Sequence, residues 1–168
     1  LAKKQGAFLS EDAGQGFSFQ SMKDIQQAIP ELKPNFHYHF WSRGQWSMHE
    51  LLEYLLMHTG SADVSLSTWT ITEDPMRKLF LLKEKGIIKS LSCVLDYRIK
   101  NRKAGPFQLL EQTADAIKLS QCHAKSFVIT NADWAVSVVG SANMSRNPRL
   151  EVGVICTVPE VVNFNLNV

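Results

Sequence analysis

From residue 47 onward, the apolar residues alternate between the spacing of a helix and the two-residue spacing of a strand. The first helix is predicted over residues 47–58, where Ser47 and Glu50 form a capping box and Gly60 ends the helix. Further segments are predicted as helices over residues 73–85 and 106–119, and as strands over residues 63–71, 87–97, 122–129, 134–139 and 152–158. Alternating helices and strands that end in a hairpin predict the α/β class, as a sandwich with a mixed central sheet flanked by helices.

The first 46 residues show no sustained periodicity and contain several glycines and prolines. They are predicted to form an N-terminal arm, partly irregular, with at most one short helix over residues 21–29. Residues 47–168 are predicted to be the functional domain. His37 and His39 project from the same side of a strand, as two ligands of a metal site would. No third ligand follows at a recognisable spacing, so an aromatic-rich packing strand is the favoured interpretation.

Composition predicts a folded protein without a membrane anchor. Hydrophobic residues make up 45% and charged residues 20% of the 168 residues, unlike a disordered chain. No apolar run approaches the roughly 18 residues needed to span a bilayer, and residues 1–10 lack the apolar centre of a signal peptide. We therefore expect a cytoplasmic protein without stable membrane association. Cys93, Cys122 and Cys156 are odd in number and lie in apolar surroundings, so buried thiols are expected rather than disulfides.

The net charge of +2 conceals a strongly basic segment. Residues 76–103 contain nine basic and two acidic residues, a net charge of +7, which favours a polyanionic partner. The basic residues within 77–85 are typical of a solvated helix face. Arg98, Lys100 and Arg102 follow a strand and enter a Gly-Pro loop, where basic side chains can converge on a phosphate. We predict that these three residues bind substrate.

Two short patterns in the last third of the chain bring phosphate-binding side chains together. His123 and Lys125 are two residues apart in a predicted strand and therefore project from the same face. Ser141 and Asn143 are also two residues apart and follow Gly140, which lets a backbone approach closely. An imidazole, an ammonium, a hydroxyl and a carboxamide in one pocket are suited to bind a phosphate group.

A predicted hairpin joins the two patterns. With a two-residue turn at 131–132, Thr130 pairs with Asp133, and the antiparallel register places His123 opposite Gly140. The serine that follows this glycine then lies beside the histidine.

These patterns resemble the signature of the phospholipase D superfamily, in which HxK is followed by GSxN and then by a glutamate. Here the three parts are residues 123–125, residues 140–143 and Glu151. The chain departs from the full family pattern at Thr130, where the family has an aspartate, although Asp133 lies close by. The resemblance implies a phospholipase D-like fold and phosphodiester cleavage through a phosphohistidine intermediate, without a metal or another cofactor.

The resemblance also implies a role for each matched residue. His123 would attack phosphorus as a neutral imidazole. Lys125 and Asn143 would bind the non-bridging oxygens and stabilise the charge of the transition state. Ser141 would support the phosphate or the imidazole, and Glu151 would accept a hydrogen bond from the other ring nitrogen of the histidine.

A single HxK leaves the departing alkoxide without a second acid, and single-copy members of the superfamily supply one by pairing two chains. The resemblance therefore implies a C2 homodimer with one shared active site. We expect a nuclease, because the basic segment favours nucleic acid over lipid. A catalytically weak module that binds nucleic acid stays open because of Thr130. A phospholipase or phosphatidyl-transfer enzyme ranks last.

Three further residues are predicted to contact substrate, each with a structural alternative. Arg146 and Arg149 are either contacts to the substrate backbone or exposed loop charges. Trp69 either stacks on a base in the groove or belongs to the core, as tryptophans at strand ends more often do.

Overall fold

The computed structural model describes residues 6–10, 15–19, 25–29 and 31–167. The strands are β1 (Gly6–Ser10), β2 (Gln15–Phe19), β3 (His37–Arg43), β4 (Ala62–Thr68), β5 (Ile88–Asp96), β6 (Ala116–Ser120), β7 (Lys125–Thr130), β8 (Ala135–Gly140) and β9 (Leu150–Cys156). The helices are α1 (Ile25–Ala28), α2 (Met48–Thr59), α3 (Glu73–Glu84), α4 (Ile99–Arg102), α5 (Ala104–Thr113) and α6 (Pro159–Leu166). Within the described residues the strands form one mixed sheet, in the order β1-β2-β3-β9-β8-β7-β4-β5-β6.

β4 lies where the strands change direction. It pairs in parallel with β5, which pairs in parallel with β6, whereas its other neighbour, β7, is antiparallel. β8, β9 and β3 then continue as antiparallel neighbours. The carboxyl ends of β4, β5, β6 and β8 therefore meet the amino ends of β7 and β9 along one side of the sheet, which we call the upper edge. α/β sheets commonly bind ligands beyond the carboxyl ends of their parallel strands.

Helices α2, α3 and α5 cover one face of the sheet, and α6 lies on the other. Leu51, Leu79 and Leu110 contribute one fully buried side chain from each of the first three helices to the core. Ser137 alternates with core residues of β8 and accepts a hydrogen bond on the opposite face from Asn165 of α6, at 3.0 Å. The fold is the α/β sandwich with a mixed central sheet that the sequence predicts.

The first two predicted helices are confirmed within one residue at their ends. α2 begins after Ser47, whose backbone N–H donates to Oε2 of Glu50 at 2.7 Å, as in a capping box. Gly60 follows α2 with a φ of 79°, and Gly86 follows α3 with a φ of 67°. Because such positive φ values are costly for a residue with a side chain, the two glycines stop the helices at the predicted places.

The structure also bears on the predictions made for the cysteines and for membrane-spanning segments. The three cysteines are buried and free, as predicted. Among the described residues, every helix lacks the combination of length and apolarity that crossing a bilayer requires.

The third predicted helix is wrong in its second half. α5 ends at Thr113, and the residues from Ala116 to Ser120 form β6, which pairs with β5. Ile117 and Leu119 pack against the core while the residues between and beside them are exposed, which is the period of a strand. This period covers only five residues directly after a helix, so the sequence pattern alone did not separate the two elements. α4 is a second difference, because a loop was expected there.

Described residues of the predicted arm take part in the sheet. β1 pairs with β2, β2 pairs in parallel with β3, and β3 pairs along its whole length with β9. The sheet therefore continues across the predicted boundary between residues 46 and 47. Of the helix expected over residues 21–29, the part described is α1, and residues 21–24 lie outside the described residues. Short strands depend more on their neighbours in the sheet than on intrinsic preference, which explains why β1 and β2 were not predicted.

The predicted register of the β7–β8 hairpin is wrong by two residues. Thr130 pairs with Ala135 rather than with Asp133. The turn is longer because Oδ1 of Asn131 accepts hydrogen bonds from the backbone N–H groups of Asp133, at 2.9 Å, and Trp134, at 2.8 Å. Since side chains alternate with a period of two, this shift leaves every residue on its predicted face of the sheet.

Gly140 is predicted to be intolerant of any side chain. A Cβ added there would lie 2.9 Å from the carbonyl oxygen of Val152 and 3.3 Å from Cε of Met48. We expect Gly140→Ala to lower the free energy of unfolding by about 1–3 kcal/mol, because overpacking forces the backbone of β9 to move. Urea unfolding followed by circular dichroism measures this change.

Gly105 in α5 provides the matched control, because a Cβ added there meets nothing within 4 Å. Gly105→Ala should leave stability unchanged or raise it by up to about 1 kcal/mol, since alanine favours a helix. Equal unfolding free energies for the two variants would contradict the close approach at Gly140.

Candidate active site

The five predicted catalytic residues lie along the upper edge of the sheet. Lys125 is the first residue of β7, and His123 lies two residues before it. Ser141 and Asn143 follow the carboxyl end of β8, and Glu151 is the second residue of β9. The antiparallel hairpin therefore brings both patterns to the same edge.

Lys125 contacts the imidazole of His123 directly. Its Nζ donates to Nδ1 of His123 at 3.1 Å and to the backbone carbonyl oxygen of the same residue at 2.6 Å. Partial burial lowers the pKa of Lys125, and the nearby Cys122 and Glu151 oppose this shift. The exposed imidazole thus lies beside an ammonium group, the arrangement needed to bring a nucleophile and an anion to one point.

Glu151 is held by donors from the loop that joins β8 to β9. Ser141 Oγ donates to Oε2 of Glu151, and Nδ2 of Asn147 donates to Oε1 at 2.7 Å. Ser141 also bridges to β9, because its Oγ accepts the backbone N–H of Val152 at 3.0 Å. Lys125 contacts Nδ1 of the imidazole, whereas Glu151 was the predicted acceptor for the ring nitrogen that does not attack phosphorus. Glu151 here positions the GSxN loop.

Asn143 lies in a loop that is pinned to the end of β4. The backbone N–H of Met144 donates to Oγ1 of Thr68 at 3.4 Å, and its carbonyl oxygen accepts the N–H of Thr72 at 3.0 Å. Oδ1 of Asn143 is buried and has no hydrogen-bond partner among the described residues. A buried amide oxygen without a partner costs about 1–3 kcal/mol, so Oδ1 is a candidate acceptor for a donor group of a ligand, whereas the Nδ2 group of the same side chain is the part that can donate to a phosphate oxygen.

Trp69 lies next to the imidazole. Its ring centroid is 5.9 Å from that of His123, and the guanidinium carbon of Arg102 lies 5.4 Å from the Trp69 ring. Trp69 is half-buried and directly follows β4. These contacts place Trp69 beside the candidate nucleophile and Arg102 beside Trp69, and both residues are predicted to bind substrate.

Arg98 and Lys100 were predicted to bind substrate together with Arg102, and each of them contacts another side chain of the protein. Nε of Arg98 donates to the buried Asp96 at 2.6 Å, and Nη2 donates to its second oxygen at 2.9 Å. This pairing lowers the pKa of the Asp96 carboxyl and raises that of Arg98. Lys100 lies over the ring of Phe107, with Nζ 5.4 Å from the centroid. Arg98 thus ties the start of α4 to the end of β5.

Arg146 connects the GSxN loop to two helices. Its Nε donates to Oδ2 of Asp74 in α3 at 2.9 Å, and Nη2 donates to Oε1 of Glu50 in α2 at 3.2 Å. The hydrogen bond to Arg146 lowers the pKa of Asp74. Arg149 is exposed. Arg146 therefore holds the GSxN loop against α2 and α3. This role differs from the two interpretations of the sequence, which were a contact to the substrate backbone and an exposed loop charge.

His49, in the first turn of α2, is a buried histidine that no sequence pattern assigned to the site. It is 2% exposed, its Nδ1 lies 2.8 Å from Oγ of Ser47, and its Nε2 lies 3.7 Å from Asp74. Its place in the first turn of α2, beside the capping serine, was the available signal. The partner from α3 could not be read from the sequence, because it comes from another element.

Thr130 lies at the opposite end of β7 from Lys125. It pairs with Asp63 of β4 and with Ala135 of β8. Five residues of strand span about 17 Å, so the departure from the family pattern lies far from the phosphate-binding groups. Threonine in place of the family's aspartate at position 130 therefore bears on the hairpin turn and not on the phosphate-binding groups.

The described residues contain no group of three or more His, Cys, Asp or Glu side chains that could hold a metal ion. His37 lies 3.9 Å from the sulfur of Cys156, within the sheet.

Solved structures share this fold. NucT from Helicobacter pylori matches with a TM-score of 0.58 at 16% sequence identity, over 78% of this chain and 92% of that chain. Polyphosphate kinase from Porphyromonas gingivalis matches with a TM-score of 0.58 at 14% identity, over 77% of this chain and 25% of that chain. No family model matches the sequence, and no curated protein matches it either. The chain has the phospholipase D-like fold, as the resemblance of its patterns implies.

The burial of His49 predicts a pH dependence of stability. Burial lowers the pKa of His49 below its ordinary value of 6.5, against Glu50 and Asp74, which raise it, while Arg146 and Lys78 lower it. The unfolded chain therefore takes up this proton at a higher pH than the folded chain. Stability from His49 is complete above about pH 6.5 and is lost as the pH falls below it.

We expect His49→Gln to reduce the loss of unfolding free energy between pH 7.5 and pH 5.5, by on the order of 1 kcal/mol. Urea unfolding at the two pH values measures the difference. His58→Gln is the matched control for removing an exposed histidine from the same helix. If His49→Gln and the wild type lose the same free energy of unfolding between pH 7.5 and pH 5.5, the predicted titration of His49 is wrong.

Proposed function

We propose that this protein is a metal-independent phosphodiesterase, acting as a nuclease, whose site is completed by a second copy of the chain. The observation that carries the proposal is the contact between the Lys125 ammonium and the His123 imidazole at the upper edge. The phospholipase D-like fold supports it, as does the likeness to NucT, a nuclease of that superfamily.

His123 is the proposed nucleophile. A nitrogen of its neutral imidazole forms a bond to phosphorus, and the bond from phosphorus to the leaving oxygen breaks. Water then attacks the phosphohistidine, which releases a phosphomonoester and restores the imidazole. In the free protein the Nδ1 lone pair accepts from Lys125. A phosphate oxygen is a stronger acceptor than a neutral ring nitrogen, so a bound phosphodiester draws Lys125 away and frees the imidazole.

Lys125 and Asn143 are the proposed ligands of the non-bridging oxygens. The ammonium supplies positive charge and the carboxamide supplies N–H donors where charge grows in the transition state. Ser141 and Glu151 hold the loop that presents Asn143, through the hydrogen bond between them. The two residues are therefore proposed to position the loop rather than to touch phosphorus.

A second histidine is needed to protonate the leaving alkoxide. The sequence contains one HxK. The partner's His123, related by a two-fold axis, is the proposed acid, so each dimer contains one complete site. The basic segment over residues 76–103 favours nucleic acid as the substrate.

We expect His123→Ala to lower cleavage of an oligonucleotide in EDTA at least about a thousandfold, since the nucleophile is removed. His58→Ala, an exposed histidine on α2, is the matched control. Gel analysis of the cleavage products measures the rate for each variant.

Cleavage that persists in His123→Ala would overturn the assignment of the nucleophile. Salt-sensitive binding of nucleic acid without turnover by the wild type would identify a binding module instead. Hydrolysis of bis-p-nitrophenyl phosphate in EDTA by the wild type tests the phosphodiesterase chemistry without any demand on nucleic-acid binding.

A shared site predicts that inactive chains suppress active ones. After subunits exchange with a ninefold excess of His123→Ala, wild-type pairs fall to about a tenth of their initial number, and activity should fall with them. Excess His58→Ala is the control, because its own site is complete. Activity that stays proportional to the amount of wild-type chain, or a strict monomer by light scattering, would contradict the shared site.

A further inference from the structure

Two aromatic side chains follow neighbouring parallel strands at the upper edge. Trp69 comes directly after β4, and Tyr97 comes directly after β5. Because β7, β4 and β5 are consecutive in the sheet, His123, Trp69 and Tyr97 lie in sequence along this edge. Tyr97 is 51% exposed, so part of its ring is open to a ligand.

Each aromatic ring has an arginine beside it. The guanidinium carbon of Arg102 lies 5.4 Å from the Trp69 ring, and that of Arg98 lies 5.5 Å from the Tyr97 ring. Arg98 is in turn fixed by its two hydrogen bonds to the buried Asp96. The pairs therefore combine a flat surface with positive charge, and at least one of them is held in place by the body of the fold.

We propose that these four residues form a stacking track for the bases of an unpaired nucleic-acid strand, leading from the nucleophile toward β5. The track consists of Trp69, Arg102, Tyr97 and Arg98. This inference rests on the proposed nuclease function and names its substrate class. Aromatic rings joined to basic side chains are the common means of binding single strands, since each ring accepts the face of any base.

The spacing of the track suits adjacent bases. Neighbouring strands are about 4.8 Å apart, so β7 and β5 are separated by about 10 Å. Trp69 and Tyr97 follow the strands that lie one and two strand spacings from β7, so the track offers one aromatic residue to each of two successive bases. The strand would thus extend from the scissile phosphate at His123 past Trp69 to Tyr97, with the exposed Lys103 near its phosphates.

The track discriminates between classes of phosphodiester. Bases in a duplex are already stacked and paired, so their faces are not available to a protein ring without a cost in unstacking. A phospholipid has no aromatic face to stack. A single strand offers both the faces and the phosphates, and it is the polyanion that this edge fits.

Binding by protein carrying His123→Ala, which cannot cut, tests the track. Fluorescence anisotropy compares a labelled mixed-sequence single strand with its duplex. We expect the single strand to bind more tightly, and Trp69→Ala or Tyr97→Ala to weaken its binding by about 5- to 100-fold. Trp69→Phe and Tyr97→Phe keep a ring and should recover most of the affinity. Phe164→Ala removes an exposed aromatic side chain of α6, away from the upper edge, and serves as the control.

Unchanged single-strand binding in both Trp69→Ala and Tyr97→Ala, or equal affinity for the duplex, would overturn the track. Thermal unfolding reports whether Trp69→Ala is folded. If it is not, Tyr97→Ala still tests the track, because the exposed side chain of Tyr97 can be removed without unfolding the protein. Failure of the track is distinct from failure of the proposed function, which would appear as absent hydrolysis of bis-p-nitrophenyl phosphate by the wild type.

Discussion

The antiparallel pairing of β7 with β4 is the contact on which the candidate site depends. β4, β5 and β6 run in one direction, and only a strand of opposite direction can begin where they end. Lys125 begins that strand, paired with Thr68 at the end of β4. β8 then returns, so that Ser141 and Asn143 follow at the same edge. A parallel β7 would place the HxK pattern at the other end of the sheet, about 17–20 Å away.

Ion pairs decide which basic groups remain for a ligand. Arg98 is held by Asp96, and Arg146 is held by Asp74 and Glu50, so each of these charges is partly neutralised within the chain. Their contribution is mainly to order α4 and the loop after Asn143. Lys125 differs from both, because its two hydrogen-bond acceptors are the imidazole and carbonyl of His123 and neither is anionic. Its positive charge therefore remains available to a phosphate.

The parts of this structure that could be predicted are those that depend on residues close together in the sequence. Ser47, Glu50 and Gly60 mark the ends of α2 because capping and a positive φ depend on neighbouring residues alone. The HxK and GSxN patterns likewise identified the candidate site, since their spacing is short. The register of the hairpin was not predictable, because the Asn131 side chain lengthens the turn by hydrogen bonds to two backbone N–H groups. β6 was missed because an edge strand of five residues depends on β5 for its stability.

The sequence by itself determined the α/β class, two helices with their ends and the residue types of the candidate site, because these depend on periodicity and on groups a few positions apart. The tertiary structure alone decided that Lys125 rather than Glu151 contacts the imidazole, that Arg146 binds acidic residues of two helices, and that Trp69 lies beside His123. Each of these contacts joins groups whose relative position depends on how strands and loops pack, and no local pattern specifies that packing.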